Sequence, residues 1–185
     1  TPKPSSAASD VYKRQEEINL KLHNMGLATC WITVSDVDEL VKQNAFSYSK
    51  GDINILLAVG YPLNEEFSEH SYVDRGATED LIFFDDFDTP ATDEDLEQRG
   101  LNDIFNYAKF APSAHNEQPW RFLIVDDEIR LYIEDYKGDV NLIDAGIMMY
   151  YIDELSKAFA MPLGFEIKPE IGGSEKYTYI GMTKM

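Results

Sequence analysis

With 185 residues, 44% of them apolar, the chain can bury one domain-sized core or build two small lobes. Its net charge of −18 excludes nucleic acid and anionic membranes as default partners, since phosphate-rich surfaces need a basic face; a phosphate-bearing cofactor needs only a local cluster of donors. No apolar run reaches membrane-spanning length, and one cysteine, Cys30, excludes an internal disulfide framework and most cysteine-rich zinc sites, which fits a reducing, cytoplasmic setting.

Residues 1–15 contain Pro2, Pro4 and the run Ser5-Ser6-Ala7-Ala8-Ser9, with no apolar periodicity, and read as a disordered or non-native tail. The string from Ser6 to Gln15 resembles translated sequencing-adaptor sequence, which leads us to expect a native chain truncated upstream. From Glu16 a helix is expected, with Ile18, Leu22 and Met25 on one face and Gly26 as its stop. Leu27 to Val34 reads as extended. Ser35 is placed to cap a short helix over 36–43, with Asp38 as the acidic partner of the cap. Ile53 to Val59 reads as a buried strand ending at Gly60-Tyr61-Pro62.

Residues 63–95 read as an acidic, solvated linker in which Arg75 is the sole cation. Asp86, Asp88 and Glu97 occupy the first, third and twelfth places of a calcium loop, but Pro90 and Ala91 stand where a ligand and a glycine are required, so calcium is rejected. A helix carrying Leu101, Ile104, Phe105 and Ala108 follows, broken at Ala111-Pro112-Ser113. Trp120 to Val125 and Ile129 to Ile133 read as a hairpin around Asp126-Asp127-Glu128. A long helix over 140–160 should bury Ile143, Ile147, Tyr150, Tyr151 and Leu155. Two closing strands are expected, Gly164 to Ile167 and Tyr177 to Met182, with Gly172-Gly173 as a turn. Helix, strand, strand, glycine occurs twice, ending at Gly60 and at Gly181. The pattern suggests that 16–62 is the tail end of one unit and 96–185 a fuller copy, chance being the alternative.

The loop from Ala111 to Trp120 concentrates polar and turn-forming residues between a helix and a strand, where binding residues gather. Ser113 and Asn116 can donate and accept at once, which suits the carbonyls and ring nitrogens of a planar heterocycle. Neither does acid–base work at neutral pH, so no catalytic side chain is assigned. The competing reading is a helix end with turn residues. Cys30 reads either as a reactive thiol or as a small core residue. His23, His70 and His115 show no metal spacing.

Three segments resemble the nitroreductase family. Pro112-Ser113-x-x-Asn116-x-Gln118-Pro119-Trp120-Arg121-Phe122 is similar to the signature that lines the FMN there. Met25-Gly26-Leu27-Ala28-Thr29-Cys30-Trp31-Ile32 resembles a helix-end stretch that approaches the flavin ring. Gly60-Tyr61-Pro62 followed by Arg75 resembles a strand end and phosphate-reaching arginine, with Val73 where the family has a lysine. The resemblance implies cofactor contacts from Pro112, Ser113, Ala114, His115 and Asn116, from Thr29, Cys30 and Trp31, and from Arg75. The segments stand in reversed order relative to ordinary nitroreductases. This order resembles an internally duplicated branch in which one chain mimics the usual dimer, so that a monomeric pseudo-dimer or a homodimer is implied. Asp144-Ala145-Gly146-Ile147 and Tyr179-Ile180-Gly181-Met182-Thr183 also resemble that branch. The family's Arg-Arg-Ser-x-Arg phosphate grip has no match here. The implied fold is α+β, a sandwich with a mainly antiparallel sheet flanked by helices. The implied activity is an FMN-dependent oxidoreductase that uses NAD(P)H to reduce nitroaromatic, quinone or similar acceptors. The alternative is a truncated member that binds flavin or another small ligand without turnover.

Overall fold

The computed structural model describes residues 6–63, 75–166 and 174–185. The described residues form six strands and six α-helices, and the fold is α+β. Two compact units emerge: Thr1–Glu17 with His70–Met185, and Ile18–Glu69.

In the larger unit four strands form one sheet in the order β3 (Ile82–Phe84), β4 (Trp120–Val125), β5 (Glu128–Glu134), β6 (Tyr177–Lys184). The β3–β4 pair is parallel and the others are antiparallel. The hairpin between β4 and β5 turns at Asp126, whose φ of 53° lies in the left-handed region that aspartate tolerates better than most residues. Alternation puts Trp120, Phe122 and Ile124 on one face of β4, and all three are buried. Against that face lie α5 (Asn102–Ala108) and α6 (Asp139–Ala158). Phe105 meets Phe122 edge to face at 4.9 Å. The expected face of α5 (Leu101, Ile104, Phe105, Ala108) is buried as predicted. Residues 141–149 of α6 are buried on every side, whereas Tyr150, Tyr151 and Leu155 are only half-buried. The opposite face of the sheet carries Leu123, Tyr132, Tyr179 and Met182 with Phe83, and Phe87 and Tyr177 pack onto them.

Several expectations are corrected here. The 63–95 stretch is not simply a solvated linker. Thr78–Leu81 forms α3, Ile82–Phe84 is the edge strand β3, and Asp93–Gln98 forms α4 behind a Thr92–Asp95 capping box. Leu81, Ile82, Phe83, Ala91 and Leu96 are buried, because four consecutive apolar residues outweigh their acidic neighbours. The first helix, α1 (Ser6–Asn24), begins well before Glu16, inside the segment expected to be a tail; Lys13 in that segment pairs with Asp153. Of the strand expected at 164–167, the described residues 164–166 show one antiparallel bridge, Glu166 to Met182. The Gly172-Gly173 turn and Val73 lie outside the described residues.

The smaller unit is a two-stranded antiparallel sheet, β1 (Ala28–Thr33) with β2 (Ile55–Gly60), accompanied by α2 (Glu39–Ala45). Gly26 ends α1 at φ 78° as expected. Asp38, not Ser35, caps α2 by accepting Leu40 N–H at 2.8 Å. β2 has its expected place but not its expected burial, since Ala58, Val59 and Gly60 are exposed. The predicted apolar face of α1 is also open, with Ile18 51% and Met25 73% exposed. One sheet layer of two strands does not supply the second apolar surface that those faces need. Among the described residues no helix is long and apolar enough to cross a membrane.

Candidate functional site

The Ala111–Trp120 loop leaves α5 and enters β4. Ser113 is extended and leads into a single 3-10 turn, Ala114–Asn116. Three non-glycine residues then sit at positive φ: His115 at 51°, Asn116 at 57° and Gln118 at 49°. Such residues cost on the order of 1–3 kcal/mol each unless the surroundings fix them. Here the surroundings do so at five points.

At the entry, the Arg75 guanidinium donates to Ala111 O at 3.0 Å and to Phe110 O at 3.3 Å. At the exit, Gln118 Oε1 accepts Gly76 N–H at 3.1 Å, and Gln118 Nε2 donates to Asn116 O at 3.1 Å. Within the loop, Ser113 Oγ accepts Gln118 N–H at 3.0 Å. From α6, Asp144 Oδ1 accepts Ala114 N–H at 2.9 Å. Arg121 closes the strand side by donating to Gln118 O at 2.9 Å and pairing with Glu134. Burial opposes ionisation of Glu134, but Lys176 and Arg121 outweigh it and hold this carboxyl below its ordinary range.

Asp144 is 2% exposed, and its Oδ2 finds no hydrogen-bond partner among the described residues. Burial pushes its carboxyl up to about 6; the Ala114 N–H and the Asn141 side chain pull the other way, Glu117 adds to the rise and His115 opposes it. Tyr151, flanked by Glu16 and Arg75, is raised to about 12, chiefly by desolvation.

The loop therefore presents a hydroxyl (Ser113), a carboxamide (Asn116) and an imidazole (His115) on a shaped backbone. Ser113 accepts one hydrogen bond and still carries a proton to donate. This donor and acceptor set fits the carbonyl and nitrogen edge of a flavin ring. Pro112, Ser113, Ala114, His115 and Asn116 come together as one surface, with Arg75 tied to its entry. The Arg75 guanidinium is engaged with loop carbonyls, and its 6.0 Å approach to the Phe110 ring adds a cation–π contact. A cavity of about 280 Å³, open mouth included, is bounded by Phe105, Trp120, Phe122 and Met148. Much of that volume is open solvent, and the enclosed part has room for little more than a water molecule, so the loop surface is the better candidate.

In the smaller unit Thr29 Oγ1 donates to Asn19 Oδ1 and lies 2.9 Å from His23 Nε2. Cys30 is exposed, which removes its reading as a core residue. Trp31 is half-buried, and its indole N–H has no partner among the described residues. Among the described residues no group of His, Cys, Asp or Glu side chains is arranged to hold a metal ion.

Sequence reasoning missed Asp144, Gly76 and Arg121 as parts of the loop's frame. The sequence carried two signals for Asp144, the Asp144-Ala145-Gly146-Ile147 resemblance and a carboxylate set between Ile143 and Ala145, but neither pointed to the loop.

Residues 13–155 match the model of the family described as "Putative TM nitroreductase". The fold is similar to a crystal structure of a "putative nitroreductase" from Thermotoga maritima, with a TM-score of 0.61 and 18% identity. The alignment covers 96% of this chain and 64% of that one, so the chain spans less than two thirds of the solved protein's length. No curated protein matches the chain by sequence.

Proposed function

The chain belongs to this nitroreductase family, and we propose that it carries part of the FMN site of an oxidoreductase that takes hydride from NAD(P)H and reduces a nitroaromatic, quinone or similar acceptor. The observation that carries the proposal is the loop itself. Three left-handed non-glycine residues are held by five separate hydrogen-bonded points, an expense of strain that a plain connecting loop does not need.

Ser113 and Asn116 would hold the polar edge of the flavin, Pro112 and Ala114 would shape the backbone beside it, and His115 would offer a further donor. Thr29, Cys30 and Trp31 form the second proposed contact segment. When bound, FMN supplies the redox chemistry; the protein's part is to orient the ring and furnish hydrogen bonds. Arg75 is engaged with the loop's own carbonyls, so the contacts this chain offers are expected to favour the ring end, which riboflavin shares with FMN. Pairing as a pseudo-dimer or homodimer and a cytoplasmic location belong to the same proposal.

Titration with FMN, read by quenching of flavin fluorescence, tests this. Saturable binding is expected, weakened roughly tenfold in Ser113→Ala or Asn116→Ala, the loss of about one hydrogen bond. Bleaching of the bound flavin by NADH or NADPH without oxygen, and recovery with an added nitroaromatic, would follow. A protein that binds neither FMN nor riboflavin would overturn the proposal.

A further inference from the structure

Asp144 is buried among the apolar neighbours Ile143, Ala145, Ile147 and Met148 of α6. An aspartate in such a place leaves water and gains little in packing, so an explanation has to come from what it binds. Its Oδ1 takes the N–H of Ala114, the first residue of the 3-10 turn, at 2.9 Å. The next two residues are those held at φ 51° and 57°. The turn's geometry thus depends on a carboxylate 30 positions away in sequence.

We infer that Asp144 is a positioning residue for the candidate flavin loop: by holding Ala114 N–H from the helix side, it fixes the left-handed His115–Asn116 corner and so sets the loop's affinity for the flavin ring. The inference rests on the flavin reading and extends it to a residue outside the loop.

The geometry also makes this hold sensitive to protons. The ionised carboxylate is the stronger acceptor for an amide N–H, and protonation weakens that bond. Burial sets the change near pH 6. The groups that bias it are Glu117 and His115 on the loop and Asn141 one turn earlier on the helix; Glu117 is itself paired with Lys137 at 2.8 Å. Above this pH the tether is tight, and below it the corner loosens.

The test uses the whole chain, with amide NMR of Ala114 followed from pH 4.5 to 8 and FMN binding measured over the same range. The Ala114 shift is expected to titrate with a midpoint near 6, to titrate still in His115→Gln with a midpoint no lower, and to lose the transition in Asp144→Asn. The asparagine retains an acceptor oxygen without the charge. FMN affinity is expected to fall about tenfold in Asp144→Asn at pH 7.5 and to lose its dependence on pH. Wild-type affinity should approach the variant's at pH 5. An Ala114 shift that is flat, or that titrates unchanged in Asp144→Asn, would overturn the inference. So would a variant that binds FMN with the wild-type affinity and pH profile. If Ala114 titrates as described but no flavin binds at any pH, the hold on the loop stands and the flavin reading fails.

Discussion

Gln118 Oε1 accepts the Gly76 N–H at 3.1 Å, while Arg75, the residue before it, donates to Ala111 O at 3.0 Å. One dipeptide thereby ties both ends of the loop that the sequence marks as chemical. Replacing Gln118 with alanine removes the Gly76 contact and the contact to Asn116 O together. A loss of about 1–3 kcal/mol is expected in urea denaturation, since a backbone donor is left without its partner. A change below ~0.3 kcal/mol would show that the loop holds its shape without this tie.

Arg75→Lys separates two roles for the same cation. If Arg75 acts through its fork on the carbonyls of Phe110 and Ala111, lysine cannot reproduce the pair of bonds. Arg75→Lys and Arg75→Ala should then weaken FMN binding equally and lower Tm by a few degrees. If lysine instead restored most of the affinity lost in the alanine variant, the side chain would be contacting the cofactor's phosphate directly.

The two units should differ sharply in resistance to opening. Leu131 is fully buried in the four-stranded sheet, whereas Val59 in the two-stranded sheet is 50% exposed. Leu131→Ala is expected to cost about 2–5 kcal/mol, and Val59→Ala well under ~1 kcal/mol. Hydrogen exchange should likewise run faster at the amides of β1 and β2 than at those of β4 and β5. Equal protection in the two sheets would contradict this.

The same contrast explains which parts of the sequence were legible. β4, β5 and the Leu101–Ala108 face were readable because alternation or helical spacing in each coincides with burial. Ile18, Met25 and Val59 show the limit: periodicity identifies an apolar face but not what covers it, and these residues stay open. Leu81-Ile82-Phe83-Phe84 is hidden inside an acidic stretch, because a core strand needs only a few apolar residues and the surrounding charges dominate the local composition. Helix formation from Ser6 was missed for a related reason, since it follows from the small helix-tolerant residues there and not from any apolar stripe. The loop residues Pro112 to Asn116 stood out by composition. Asp144 did not, because its meaning lies in a contact with Ala114 that no local pattern encodes.

That contact leads to a prediction about stability that opposes the one about binding. The Asp144 carboxyl is raised from 3.8 to about 6 by burial. A raised carboxyl means that the folded chain binds the proton more tightly than the unfolded chain. The group's favourable contribution is therefore complete below about pH 4 and is lost as pH rises through about 6. Holding the carboxyl at about 6 corresponds to a cost on the order of 3 kcal/mol at neutral pH, at ~1.4 kcal/mol per tenfold change in proton affinity. Carboxylates such as Glu134, held low by Lys176 and Arg121, impose the opposite trend and are lost as pH falls through their own depressed range. The difference between Asp144→Asn and wild type isolates the one group. In urea denaturation from pH 4 to 8, the asparagine variant should gain relative stability from pH 4 to 6 and hold a constant advantage above 6. A flat difference would mean that Asp144 is solvated or paired in a way its burial does not suggest. A variant that is more stable yet binds flavin less well would mark this aspartate as kept for the loop at the expense of the fold.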